Sequence, residues 1–151
     1  YKITYQPGEL MAVSYAKDGK EIGRLALSTA NRHVQLHVHS EVARLKADGA
    51  DLAYINILLG DENSIVNPMA DRLVTVHVEG AGSLLGFGSA NPFTEERYTD
   101  EVHTTFQGRA LAVVRAGHQP GMVRLTVSGE GCEPKSLIIP VEEPVVPMPN
   151  N

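Results

Sequence analysis

The chain has 151 residues, 42% of them hydrophobic but only 5% aromatic and none Trp, so any core has to be built from aliphatic side chains. This length suits one domain, or one domain with a small appendage. A net charge of −5 excludes a nucleic-acid partner, which needs a basic stripe, and no run of Lys and Arg offers a polybasic membrane anchor.

No apolar run approaches the ~20 residues that span a bilayer, so no membrane partner is expected. The single cysteine, Cys132, has no partner for an internal disulfide. It sits in "GEGCEPKS" beside a glutamate, a setting that does not favour a reactive thiolate. The chain opens at Tyr1 with neither Met nor a charged-then-apolar leader, so we expect a piece of a larger protein, and its compartment stays open.

In chain order the pattern is β throughout. "LMAVSYAKDGKEIGRLALST" has two strand-like arms around Asp18-Gly19, which predicts a hairpin over 10–29 closed by a two-residue turn. A boundary is expected at "STANRH", residues 28–33. "HVQLHVH" alternates, with Val34, Leu36 and Val38 opposite His33, Gln35, His37 and His39. "EVARLKADGADL" reads as a strand with a turn at Asp48-Gly49. "LAYINILL" is more continuously apolar, as a central strand buried on both faces would be. "RLVTVHVEG" alternates again. The passage "GSLLGFGSANPFTEERY", residues 82–98, reads as a long glycine-punctuated loop. "RALAVVRAG" and "GMVRLTVSG" flank Pro120-Gly121, which suits a type II turn, and "SLIIPVE" closes the set. About seven short strands from residue 33 onward, with turn signals often 8 to 12 residues apart, predict an all-β, immunoglobulin-like antiparallel β-sandwich. The prolines of "EEPVVPMPNN" predict an extended tail over 143–151.

The candidate chemistries fail one by one. Gly80, Gly82, Gly86 and Gly88 lack the spacing and the following helix of a dinucleotide fingerprint, so no cofactor is expected. Glycosidic hydrolysis needs two carboxyl groups facing each other, whereas Asp61-Glu62 and Glu95-Glu96 are adjacent in sequence and read as solvated loop edges. His37 and His39 share a strand face but need a third ligand, such as His33, to hold a metal, and none is expected. No strained nucleophile turn is present. There remain the aromatics Phe87, Phe93, Tyr98 and Phe106, expected mainly to plug the sandwich edge. With Asn91 and Glu95 they are the candidate glycan or interdomain contacts. A carbohydrate-binding module and an adhesin-type immunoglobulin-like repeat are the alternatives.

Two stretches carry a family resemblance. "YQPGELMAVSYAKDGKEIGRLALSTA" resembles the end of the β-sandwich that follows the catalytic barrel in bacterial family 2 glycoside hydrolases of β-galactosidase type. "LKADGADLAYINILLGDENSIVNPMADRLVTVHVEGAGSLLGFGSANPFTEERY", with "FQGRALAVVRAG", "PGMVRLTVSGEG" and "SLIIPV", resembles their C-terminal immunoglobulin-like domain. The resemblance implies residues 1–30 as the tail of a preceding domain and 31–142 as the sandwich. It implies a non-catalytic accessory role, packing on other domains or subunits of a retaining parent whose catalytic glutamates lie elsewhere. One departure stands out: the related sequences carry a glycine after Asp-Glu-Asn where this chain has Ser64.

Overall fold

The computed structural model describes residues 2 and 4–144. Among the described residues there are eleven strands and no helix. They are β1 (Glu9–Tyr15), β2 (Glu21–Ser28), β3 (Gln35–Ser40), β4 (Leu45–Lys46), β5 (Leu52–Gly60), β6 (Leu73–Gly80), β7 (Gly82–Gly88), β8 (Val102–Thr104), β9 (Arg109–Ala116), β10 (Gly121–Gly129) and β11 (Lys135–Glu142). A four-stranded sheet of order β3-β5-β9-β7 lies against a five-stranded sheet of order β4-β11-β10-β6-β8, and β1-β2 forms a separate hairpin. Every pairing is antiparallel except β11 with β4. The sandwich expected from the alternating runs is therefore the fold. The tail expectation falls at 145–151 outside the described residues.

The core comes from one face of each sheet. Leu36, Ala53, Ile55, Ile57, Leu59, Phe87, Ala112 and Val114 meet Val74, Val76, Val123, Leu125, Val127 and Ile139. Size matching sets the pairing within the first sheet. Ala110 and Ala112 of β9 stand opposite Ile57 and Ile55, while Val114 stands opposite Ala53. Ala112 also faces Phe87 across the β7 ladder, so the small residue leaves room for the large ring. Each such aliphatic or aromatic side chain contributes about 1.5–3 kcal/mol when fully buried.

Four local expectations need correction. The first hairpin has a three-residue loop: Ala16 N donates to Lys20 O and Gly19 N donates to Ala16 O. Asp18 keeps an ordinary φ, its carboxylate accepting from Lys20 N, and only Gly19 takes the positive one (φ 82°). This is a type I turn followed by a left-handed glycine. Strand β5 is buried on one face only, with Tyr54 exposed and Leu52, Asn56 and Leu58 half-buried between β3 and β9. Gly121 does not take a positive φ, because β9 and β10 belong to different sheets and their connection crosses between layers. Finally, residues 82–88 are strand rather than loop. A bulge between Leu84 and Gly86 inserts Leu85 as an extra, outward residue and turns Phe87 inward.

The Asp48-Gly49 turn forms as expected, with Gly49 at φ 72°. A turn not foreseen is Gln107-Gly108, where both residues have positive φ (52° and 70°) and Phe106 and Arg109 exchange backbone hydrogen bonds. These are the features of a two-residue hairpin turn of type I′.

The substituted glycine position also resolves. Ser64 has φ 62°, so the turn keeps its left-handed residue without a glycine. Asp61 holds it: the side chain is 1% exposed and accepts from Asn31 N, Asn63 N and Ile65 N at 2.9–3.0 Å. Asn31 N, opposed by burial but aided by Ile65 N, Asn63 N and the His37 charge, holds the Asp61 carboxyl below its ordinary value. Asp61 is thus a buried staple rather than the solvated edge expected, because these amides point at it. Left-handed backbone costs an L-residue about 1–2 kcal/mol, and a β-branched residue more. Ser64→Gly is therefore expected to lie within about 0.5 kcal/mol of the parent chain, relief of strain offsetting chain entropy. Ser64→Val is expected to lose about 1–2 kcal/mol. Urea unfolding of the three chains checks both.

Candidate functional site

The passage from 89 to 101 leaves β7 and returns to β8 around the edge where the two sheets meet. Its shape comes from local polar contacts. Asn91 Oδ1 accepts from Phe93 N at 3.0 Å, and Thr94 Oγ1 accepts from Glu96 N at 3.2 Å. Glu96 is the anchor. Its carboxylate receives Thr104 N at 3.0 and 3.1 Å, Thr104 Oγ1 at 2.7 Å and Thr94 Oγ1 at 3.1 Å. It also lies 3.0 Å from His103 Nδ1.

Burial would push the Glu96 carboxyl up. Thr104, through side chain and backbone, then Thr94 and the His103 charge outweigh that and hold it below the ordinary value. Glu96 is therefore another staple, a second departure from the solvated edge expected, whereas its neighbour Glu95 is exposed.

His103 is fully buried. Two acceptors, Thr104 O and Glu96 Oε2, lie 3.0 Å from Nδ1, so that nitrogen carries a proton. Nε2 has no partner among the described residues. The ring meets Phe87 edge-on at 6.0 Å and carries Tyr98 stacked on its face at 5.5 Å and 19°. Tyr98 lies directly over Gly88: a Cβ there would fall 2.1 Å from Tyr98 Cδ1, so no other residue fits. Tyr98 O in turn accepts from Phe87 N at 2.7 Å.

Beside Tyr98 the outer face of the four-stranded sheet has a depression of about 470 Å³. Gly86, Ala90, Leu111 and Val113 supply its apolar wall, and Asn56, Ser89 and Arg109 its polar groups. Of the residues singled out in the sequence, Phe87 and Tyr98 border this depression together. Phe87 does so from below, its ring only 1% exposed, so it plugs the core as expected of an aromatic. Phe93 is 90% exposed, and with Asn91, Glu95 and Phe106 it stands outside the lining. The sequence reading weighed Gly88 only as part of a failed fingerprint and missed Asn56 and Arg109. No local motif marks them, because they converge from three strands.

The other candidates have structural work. His37 uses both ring nitrogens, Nε2 on Asp61 O at 2.8 Å and Nδ1 on Ser64 Oγ at 3.1 Å. Cys132 Sγ sits between Arg72 Nη1 and Val34 O. Among the described residues no three His, Cys, Asp or Glu side chains are grouped to hold a metal. In the two adjacent acid pairs, Asp61 and Glu96 are tied to backbone amides.

Fold and surface together define a β-sandwich module whose polar clusters brace loops. The comparisons make that specific. Residues 36–138 match the family model for the glycoside hydrolase family 2 C-terminal domain 5, and the chain belongs to that family. It is 30% identical over 143 residues to Beta-galactosidase BoGH2A of Bacteroides ovatus, covering 95% of this chain and 17% of that protein. It is 31% identical over 108 residues to a Beta-galactosidase of Thermoanaerobacter pseudethanolicus, covering 72% of this chain and 13% of that one. A solved glycosyl hydrolase family 2 member from Bacteroides cellulosilyticus superposes with a TM-score of 0.88 at 32% identity, over 94% of this chain and 18% of that one. The chain thus spans less than a fifth of the length of these relatives.

Because the folded Glu96 pKa is depressed, its stabilisation is present above the unfolded value near 4.5 and lost as pH falls through the folded value. Glu96→Gln is expected to lower the melting midpoint at pH 7 by roughly 3–6 °C, with the deficit shrinking as the pH is taken below 4.5. Thermal melts across that range test it, and a pH-independent deficit would contradict the assignment.

Proposed function

We propose that this chain is a non-catalytic accessory domain of a family 2 glycoside hydrolase of β-galactosidase type, packing against the other domains or subunits of its parent. The observation that carries this reading is the proportion of the match. Nearly the whole chain aligns within 17% of a protein named as a β-galactosidase. Hydrolysis with retention needs two carboxyl groups about 5–5.5 Å apart across the sugar. In this chain Asp61 and Glu96 are both committed to backbone amides, which supports chemistry located in another part of the parent.

Residues 1–30 are proposed as the closing hairpin of a preceding domain. Leu10, Met11, Tyr15, Ile22, Leu25 and Leu27 are all exposed on this separate two-stranded sheet. A lone hairpin of this kind is marginal in water, and so many apolar side chains need a partner layer. The adhesin-type repeat is the competing reading and has no specific observation in its favour. A carbohydrate contact is compatible with an accessory domain and has the Tyr98 depression in its favour.

Two outcomes are expected. Incubated with a chromogenic β-galactoside, the 151-residue chain should release no chromophore above blank, and turnover would refute the accessory role. By hydrogen exchange, amides of β1 and β2 should exchange at least about 100-fold faster than those of β5, β9 and β10. Equal protection would mean that the hairpin is stable without a further layer.

A further inference from the structure

The outer face of the β3-β5-β9-β7 sheet has an unusual charge balance. In a chain with 18 acidic residues, none of these four strands carries an Asp or a Glu. Their ionisable residues apart from Tyr54 are His37, His39, Arg109 and Arg115. Arg109 forms no ion pair among the described residues. It lines both the 470 Å³ depression beside Tyr98 and a neighbouring hollow of about 690 Å³ that reaches His39 and Lys135. Asn56 borders both as well, with its Nδ2 donating to Glu41 Oε1 at 3.2 Å and its Oδ1 facing no donor among the described residues.

The aromatic wall is pre-organised. His103 supports one face of the Tyr98 ring, Gly88 lies beneath it, and Glu96 holds His103. Tyr98 is still 53% exposed, so His103 and Gly88 leave part of it accessible to a ligand. A fixed aromatic face next to an apolar wall, with an amide and an unpaired guanidinium within one small depression, is a combination that recognises a pyranose. The C–H face stacks on the ring, while hydroxyls or a ring carboxylate take the polar groups. The volume lies within the ~300–1,000 Å³ typical of small-ligand sites. A cation is disfavoured by Arg109, and neither hollow has a carboxylate in its lining. A phosphate ligand lacks a nest of backbone amides.

We propose that the Tyr98 depression is a saccharide-binding site, with Tyr98 as stacking platform, Asn56 Oδ1 as acceptor for a hydroxyl, Arg109 as donor to a hydroxyl or carboxylate, and the adjoining hollow accommodating a further sugar unit. The inference rests on the accessory-domain reading, in which captured sugar serves chemistry performed elsewhere in the parent. Phe93, despite its exposure, takes no part, because it lies outside the lining.

The test is a ¹H–¹⁵N NMR titration of the 151-residue chain with methyl β-galactoside, cellobiose and glucuronic acid. At least one probe should give saturable shifts centred on Gly88, Ser89, Tyr98 and Leu111, with a dissociation constant of about 1 mM for so small a ligand. Tyr98→Phe should stay within about threefold of that value and Tyr98→Ala should weaken it about tenfold. Should Tyr98→Ala unfold the loop, Leu111→Arg, at an exposed position on the depression floor, should abolish the shifts. Arg109→Gln should weaken the best probe about tenfold. No saturable shift with any probe overturns the proposal and leaves this face to a protein neighbour. Shifts that survive both Arg109→Gln and the Tyr98 or Leu111 variant overturn it too. Neither outcome alters the chromogenic result, so failure here is separable from failure of the accessory-domain reading.

Discussion

The inward turn of Phe87 against Ala112 is the constraint on which the rest of this edge depends. Side chains alternate along a strand, so placing Phe87 in the core places Gly88 on the outer face. Only because that outward residue has no Cβ can the Tyr98 ring lie over the strand and stack on His103. The bulge at Leu85 makes this possible by shifting the parity once along β7. A core-packing decision therefore fixes the geometry of the surface feature above it.

The polar clusters follow a common logic. Asp61 gathers backbone amides, and Glu96 gathers amide and hydroxyl donors, and each thereby ties down a loop that no regular ladder holds. A carboxylate with several donors is a stronger anchor than a neutral side chain, and its pKa falls accordingly. The same residue type that serves as nucleophile or acid in a glycosidase is here used up in holding turns. His37 and Cys132, which elsewhere suggest metal or thiol chemistry, are similarly spent on backbone and guanidinium partners. This leaves Arg109 and Arg115 without an ion pair among the described residues, on strands that carry no Asp or Glu.

The sequence was most legible where alternation was regular. In "HVQLHVH" and "RLVTVHVEG" the buried face matches the apolar set, since period-two patterning has only one solution against a core. It was least legible in "GSLLGFG". One inserted residue breaks the period there, and the glycines suggest a loop where they allow close approach. Adjacent acids gave no sign of their structural ties either, because the donors that bind Asp61 and Glu96 arrive from positions as distant as Asn31 and Thr104.

By itself the sequence determined the all-β class, the run of half-buried strands and the kinship with family 2 C-terminal domains, since these rest on local periodicity and turn chemistry. Only the tertiary structure decided which strands are neighbours and which acids are staples. It also brought Asn56, Gly88, Tyr98 and Arg109 to one surface. Those outcomes depend on ladder register between strands far apart in the chain, where a one-residue shift exchanges core for surface.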